Sequence, residues 1–370
     1  MSRWHDDPAT SPLRSSQGSD LLFFDEPGSS GPPRRERRRT RRILVGLAVV
    51  VLLLLGAVGG TVFFLTERLG NNVTRVPDAF HGLDAGARPP ANDAVTFLLV
   101  GTDSRSTEPT TGADAPAGVD PGSQRSDVLM LARIDPARTG ASVVSIPRDS
   151  WVDIPGRGFN KINAAYAFGG PSLLIQTVEK LTNVRVDHFA VIDFAGFQAM
   201  VDTVGGIDVR VAKATSHDGV QFRQGDNHLD GAQALAYVRQ RYDLPRGDID
   251  RAQRQQNALR ALLDKAVSSG LLADPVRLYR LLDAVSRSVS IDDTLSNGGM
   301  RDLGIKMRGL RPSGVTFLGA PVRGLGREGQ QSVVYLDDAR SAELWDALTN
   351  GSVDAYAQRN HADTLGETPP

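Results

Sequence analysis

Charged side chains in this sequence gather where apolar runs end. Asp103 and Arg105 follow the run at 97–100, Arg125 and Asp127 precede the run at 128–134, and Arg148 and Asp149 follow the run at 142–146. If the three runs are strands paired antiparallel in chain order, as the short connection at 135–140 suggests for the last two, all these charges share one sheet edge. Taken singly, such residues make ordinary salt bridges with one another where a buried strand reaches solvent. Three strand ends that offer Asp and Arg together point instead to a site.

A second cluster lies in YVRQRYDLPRGDIDRAQRQQ (237–256). Arg239 and Arg241 end one expected helix, Asp248 and Asp250 precede the next, and Arg251, Arg254 and Gln255 fall in its first turn. A helix N-terminus already carries partial positive charge, so Arg is electrostatically misplaced there. A bound anion resolves the conflict, with backbone N–H groups and guanidiniums facing one phosphate. Neutralisation by Asp248 and Asp250 is the alternative. Joined, the clusters describe carboxylates for a hard cation such as Mg²⁺ and guanidiniums for a multiply charged phosphate. Zinc does not fit, because Cys is absent and the six His are scattered. No P-loop, G-x-S-x-G or G-x-G-x-x-G pattern occurs, so nucleotide hydrolysis and Ser-hydrolase chemistry have no support.

Positioning these groups requires an α/β domain. Short apolar runs at 188–192, 207–211 and 315–319 read as further strands. Helices are expected from Pro171, over 194–204, from an Asp230 cap through Arg239, over 250–267, and over 275–286 and 295–310. A closing element covers 333–348. Residues 104–124, rich in Thr, Pro, Gly and Asp, read as a mobile flap beside a site, with a plain insertion the alternative.

Around this domain the composition changes. Residues 34–42 hold seven Arg and one Glu, and 43–65 are 23 uncharged residues, long enough to span a bilayer. The Arg run is a positive-inside flank, which places the N-terminus in the cytoplasm and the rest of the chain outside. The expected organisation is a disordered cytoplasmic tail at 1–42, a transmembrane anchor at 43–65, a linker at 66–94, a single exported domain at 95–350 and a disordered tail at 351–370. The net charge of −1 conceals a basic inner end and a mildly acidic outer part. Arg outnumbers Lys by 37 to five, and genome composition alone can produce such a bias. Local Arg clusters on an acidic surface argue against a general nucleic-acid binder.

Seven stretches resemble the LytR–CpsA–Psr family, in the family's order across 95–348: FLLVGTDSR (97–105), RSDVLMLARID (125–135), SIPRDSWVDIPG (145–156), KINAAYAFGGP (161–171), VDHFAVIDFAGF (186–197), VDTVGGIDV (201–209) and the segment LDGAQALAYVRQRYDLPRGDIDRAQRQQ (229–256). The resemblance implies one α/β domain with a central mixed or largely antiparallel sheet flanked by helices, after a single span. It implies a phosphotransferase that ligates a polyprenyl-pyrophosphate-linked glycopolymer to peptidoglycan on the outer side of the cell membrane. Asp103 and Asp127 would then bind Mg²⁺. Arg105, Arg125, Arg148, Arg239, Arg241, Arg251, Arg254 and Gln255 would line the pyrophosphate pocket, with Arg148, Arg239, Arg241 and Arg254 absorbing charge on the leaving prenyl phosphate; Asp103 or Asp127 could also take the acceptor's proton, a role the sequence does not assign between them. Segments 175–181 and 194–201 would wall the prenyl slot. The family's D-F-G-R is here Asp248-Ile249-Asp250-Arg251, so Arg254 is the firmer assignment of the two helical arginines. The glycopolymer stays open among arabinogalactan, teichoic or teichuronic acid, and capsule, with the Arg- and Ala-rich composition mildly favouring arabinogalactan-type or other secondary wall polymers. Two other readings remain: a membrane-anchored polyprenyl-pyrophosphate-binding regulator or scaffold, and a polyprenyl pyrophosphate phosphatase with water as acceptor.

Overall fold

The computed structural model describes residues 67–102, 110–111, 126–137, 139–268, 274–361 and 364–370. The expected cytoplasmic tail and anchor, and the site candidates Asp103, Arg105 and Arg125, lie outside the described residues. Among the described residues, no helix is long and apolar enough to cross a membrane.

The elements alternate along the chain. Strands β1 (Thr74–Val76), β2 (Val95–Thr102), β3 (Ser126–Ile134) and β4 (Ala141–Ser145) come first, then a hairpin of β5 (Trp151–Ile154) and β6 (Gly158–Lys161). Helix α1 (Ile162–Thr182), β7 (His188–Asp193), α2 (Phe194–Thr203) and β8 (Ile207–Val211) follow, then β9 (Thr215–His217), β10 (Val220–Phe222) and β11 (Gly225–Leu229). Helices α3 (Gly231–Arg239), α4 (Asp248–Ser268) and α5 (Pro275–Ser288) lead to β12 (Val289–Asp292), α6 (Asn297–Lys306) and β13 (Val315–Gly319). The hairpin of β14 (Val322–Glu328) and β15 (Gln331–Leu336) precedes α7 (Asp338–Asn350) and α8 (Val353–Arg359).

Seven strands form the central sheet in the order β1-β12-β7-β2-β3-β4-β13. It is mixed: β2–β3, β3–β4 and β7–β12 are antiparallel, whereas β2–β7, β4–β13 and β1–β12 are parallel. The three strands expected to pair in chain order do so, with Thr102 opposite Ser126 and Met130 opposite Ser145. Both faces are covered, as the unbroken apolar runs require. On one face Leu98, Leu131 and Val144 cluster with Leu174, Ile175 and Val178 of α1 and Leu344 and Leu348 of α7. On the other, Met130, Val143 and Phe317 meet Leu259 and Leu263 of α4. A separate cluster joins Val201, Ile207, Leu229, Tyr237 and Ala258 beneath the second charged segment.

Local chemistry accounts for the element ends. Asp230 and Gln233 form a reciprocal capping box, with side-chain bonds of 2.8 and 3.1 Å, a device that contributes about 1 kcal/mol. The helix expected from Pro171 begins earlier, at Ile162, and kinks at Gly169-Gly170. Gly170 has φ 61°, so Pro171 opens the second segment, where its missing N–H costs nothing.

Two boundaries are corrected. The linker expected at 66–94 contributes β1, which pairs with β12, and buries Val76 and Ala79 in the core. The tail expected to be disordered at 351–370 holds α8, whose Val353 and Tyr356 are buried. Beyond it, Leu365 N–H donates to Phe317 O at 3.0 Å and Ala212 N–H to Pro369 O at 3.1 Å. Of the segment 104–124, Thr110 and Thr111 are described, and both are buried against Asp193: Thr111 N–H reaches its Oδ2 at 3.0 Å, and Asp193 N–H donates to Thr111 Oγ1 at 2.9 Å.

Candidate functional site

The shared sheet edge carries the first half of the site. Asp127 is the second residue of β3 and Arg148 follows β4, so the antiparallel pairing brings them together although 21 residues separate them. Arg148 Nη1 donates to Asp127 Oδ1. The second half comes from α3 and α4. Arg239 ends α3, Arg241 lies just beyond it, and Asp248 and Arg251 occupy the first turn of α4. Asp248 links the halves: its Oδ2 accepts from Arg251 Nη2 at 2.8 Å and lies 3.6 Å from Arg148 Nε.

A cavity of about 400 Å³ opens where these elements meet. Asp127, Arg148, Arg239, Arg241, Arg251 and Gln255 all line it. Arg239 is stacked 5.3 Å from the Phe194 ring, and Arg241 lies 4.9 Å from the Tyr242 ring and donates to its hydroxyl at 2.8 Å. Among the described residues neither Arg239 nor Arg241 pairs with a carboxylate. Among the described residues, four guanidiniums on this lining thus meet two carboxylates, Asp127 on the lining and Asp248 against Arg148 and Arg251, and the surplus is positive.

The protonation energetics agree. Burial pulls the Arg251 guanidinium below the usual arginine range; Asp248 and Asp127 oppose this, while Arg148 and Arg241 add to it. Burial acts on Arg148 in the same sense, but Asp127, Asp248 and Asp149 outweigh it and the guanidinium is held above its ordinary value. Carboxylates therefore hold Arg148 in place, and an anion beside Arg251 would add to Asp248 and Asp127 in offsetting the cost of burying its charge. Thr102 Oγ1, Ser126 Oγ, Arg148 Nε and Asp248 Oδ1 are buried with no hydrogen-bond partner among the described residues. Such unmet capacity at one edge is characteristic of a place where something binds.

Arg254 departs from expectation. It is fully buried, away from the cavity lining. Its guanidinium donates to Gln240 Oε1 at 2.5 Å, to Thr215 Oγ1 at 3.0 Å and to Pro370 O at 2.7 Å, between the rings of Tyr237 and Phe222. The preference for Arg254 over Arg251 is therefore reversed. Asp250, the altered residue of the D-F-G-R pattern, is buried and holds Arg246 through Nε at 2.7 Å and the backbone N–H at 2.8 Å. It closes the turn before α4 and does not neutralise Arg251.

Sequence reasoning missed His217, Val238 and Tyr242, which also line the cavity. His217 is one of six scattered histidines that form no zinc pattern. It arrives on β9, an element too short to show periodicity. Of the segments expected to wall an apolar slot, Phe194 lines the cavity, whereas Ile175 and Val178 are packed in the core.

Among the described residues no three His, Asp or Glu side chains group as metal ligands. Asp127 presents a hard carboxylate at the cavity, beside the strand end that leads to Asp103. Asp127 is the one described carboxylate of that expected pair and already accepts from Arg148; together with Asp103 it would give the one or two carboxylates that Mg²⁺ takes beside phosphate oxygens and water.

Comparison with known proteins bears on these residues. A family model described as the LytR_cpsA_psr family matches residues 74–350. The cell wall biosynthesis protein LcpA of Corynebacterium glutamicum is 34% identical over 282 residues, 67% of this chain and 54% of the relative. The polyisoprenyl-teichoic acid–peptidoglycan teichoic acid transferase TagU of Oceanobacillus iheyensis is 38% identical over 206 residues, 54% of this chain and 59% of the relative. The matched regions thus span little more than half the length of these curated relatives. Among solved structures, B. subtilis TagV aligns with TM-score 0.57 and 26% identity, covering 72% of this chain and 99% of TagV. A LytR-Csp2A-Psr enzyme from Actinomyces oris aligns with TM-score 0.56 and 21% identity over 75% of this chain and 96% of its own, a likeness of fold alone.

Proposed function

Since the chain belongs to the LytR–CpsA–Psr family, we propose that its Arg-lined cavity is the active site of a phosphotransferase that moves a glycopolymer from a polyprenyl pyrophosphate onto peptidoglycan. The observation that carries this reading is the excess, among the described residues, of four guanidiniums over the two carboxylates that pair with them at one cavity by the N-terminus of α4. A pyrophosphate supplies the missing negative charge. The relative named as a teichoic acid transferase supports the reaction class.

Each residue has a role that follows from its surroundings. Arg148, fixed by Asp127 and Asp248, orients the phosphate that bears the glycopolymer. Arg251 and the first turn of α4 meet the same group with a guanidinium and with backbone dipoles. Arg239 and Arg241 absorb charge on the departing prenyl phosphate, and a positioned donor of this kind accelerates phosphoryl transfer by about 100-fold or more. Gln255 lines the same cavity, with its Nε2 3.4 Å from Val238 O. The acceptor hydroxyl oxygen bonds to the glycopolymer phosphorus, the bond from phosphorus to the prenyl phosphate oxygen breaks, and the hydroxyl proton ends on the released prenyl phosphate. Asp127 with Asp103 would hold Mg²⁺, which when bound neutralises pyrophosphate charge. The apolar stretch 43–65 would anchor the chain with the catalytic domain on the outer side, beside a carrier that diffuses in the same membrane.

Purified full-length chain in detergent, given a labelled prenyl-pyrophosphoryl saccharide and peptidoglycan, should label the peptidoglycan in a Mg²⁺-dependent manner. Release of soluble saccharide phosphate with unlabelled peptidoglycan would make the protein a phosphatase. Tight donor binding without turnover would make it a binding protein.

A further inference from the structure

Arg148 and Arg241 have a second side. Both also line an adjoining cavity of about 680 Å³, larger than the phosphate cavity and different in chemistry. One wall is the β5–β6 hairpin with the start of α1, which brings Asn160, Asn163 and Phe168; the other is the turn of the β14–β15 hairpin, which brings Gln330, Gln331 and Ser332. The two walls are tied at their base directly after Arg148. Val334 N–H donates to Asp149 O at 2.9 Å, a bridge joins Ser150 to Val334, and Ile162 N–H donates to Ser150 O at 2.8 Å. Asp149 and Lys161, the other charges of this lining among the described residues, neutralise each other at 3.0 Å.

Between the walls lie carboxamides, a hydroxyl and an aromatic ring, with the positive surplus confined to the boundary with the phosphate cavity. Carboxamides place donors and acceptors side by side, which matches vicinal hydroxyl and N-acetyl groups. Phe168 is 44% exposed with the Arg157 guanidinium 5.6 Å from its ring centre, which leaves an apolar surface suited to the C–H face of a pyranose. A prenyl chain would find too many polar groups here, and a second phosphate would find too little charge.

We infer that this cavity seats the uncharged acceptor saccharide, so that Arg148 and Arg241 form the boundary across which the acceptor hydroxyl meets the phosphorus. The inference rests on the transferase reading above and adds to it the acceptor's position and the residues that select it: Asn160 and Gln331 by hydrogen bonding, Phe168 by stacking. All three lie on the rims of the walls and none carries the fold's core.

The test uses the full-length chain in detergent with a synthetic prenyl-pyrophosphoryl disaccharide donor and soluble, uncrosslinked peptidoglycan glycan strands. Asn160→Ala, Gln331→Ala and Phe168→Ala should each raise the acceptor KM by about tenfold, the effect of one lost contact of this strength. The donor KM should move less than twofold. Titration of the glycan strand alone should show the same losses without turnover. An unchanged acceptor KM in the triple variant, or an equal rise in the donor KM, would overturn the inference. If the wild-type chain binds glycan strands through these residues yet transfers nothing, the transferase reading fails and the saccharide site stands. Where transfer is robust and the triple variant binds strands normally, the saccharide site fails alone.

Discussion

The Arg254 guanidinium donates to the Gln240 side chain at 2.5 Å, inside the protein, while Arg239 and Arg241 on either side of Gln240 line the phosphate cavity. Arg254 therefore reaches the site through another residue. By gripping Gln240, with Thr215 and Pro370 as further partners, it sets where the chain leaves α3 and hence where the two flanking guanidiniums stand.

Arg254→Ala should behave as a folding defect before it behaves as a binding defect. Removing the guanidinium takes a donor from Gln240 Oε1, Thr215 Oγ1 and Pro370 O, leaves the first two only their mutual bond of 3.1 Å, and empties the space between Tyr237 and Phe222. Hydrogen bonds to a charged group contribute ~1.5–3 kcal/mol each, so a loss of about 3 kcal/mol is expected. Urea denaturation reads it as a lower midpoint at unchanged slope. A variant of normal stability with pyrophosphate affinity lost would show that Arg254 touches the anion after all.

Arg251→Ala should do the opposite. Its guanidinium borders the cavity, where burial, Arg148 and Arg241 disfavour its charge and Asp248 pairs with it at 2.8 Å, so its removal exchanges that pairing for relief of desolvation and repulsion in the empty protein. Affinity for an inorganic pyrophosphate probe should fall by about 10- to 100-fold, the worth of one charge-assisted contact. Calorimetric titration at two salt concentrations measures this, and the residual binding should be less salt-dependent. Unaltered affinity would exclude Arg251 from the site.

Asp127→Asn tests the clamp on Arg148. The carboxamide keeps the shape but loses the charge that helps hold the Arg148 guanidinium above its ordinary pKa and in place. Turnover should drop on the order of 100-fold, and the Mg²⁺ concentration needed for half-maximal transfer should rise. Arg148→Lys should fare little better, because an ammonium cannot reproduce the fork that meets Asp127 and Asp248 together. Wild-type turnover in Asp127→Asn would remove both the clamp and the metal ligand from the mechanism.

What the sequence disclosed, and what it concealed, follow from the range of the forces involved. The convergence of Asp127 and Arg148 was legible because strand pairing in chain order is a local rule and the charges mark strand ends. The exchange of roles between Arg251 and Arg254 was not legible in the same way. Both are buried and both fall at helical spacing with Ala258, and what separates them is the partner each meets: Asp248 at the cavity for Arg251, and Gln240, Thr215 and Pro370 for Arg254. Strand β1 and the C-terminal strap had no such signal. Thr74 to Val76 is held by pairing with Ser290 to Asp292, more than 200 residues away, and the strap by backbone bonds to Phe317 and Ala212. Neither shows in local composition.

Acid stability should depend on Asp292, at the far side of the sheet from the cavity strands. Burial pushes its carboxyl up, but His188 Nδ1 at 3.3 Å, Thr294 and the Phe189 N–H at 3.0 Å outweigh burial and hold it below the ordinary carboxylate range. A depressed native pKa means the unfolded chain binds the proton more readily. The contribution is therefore complete above the unfolded value of about 4 and is lost as pH falls through the lower native value. Asp292→Asn should melt below wild type at neutral pH, because Asn cannot meet the same donors with a charge. The gap in Tm should narrow as pH falls from about 5 towards 2. A gap that stays constant over that range would mean that Asp292 contributes by shape alone, with its charge offset by the cost of burying it.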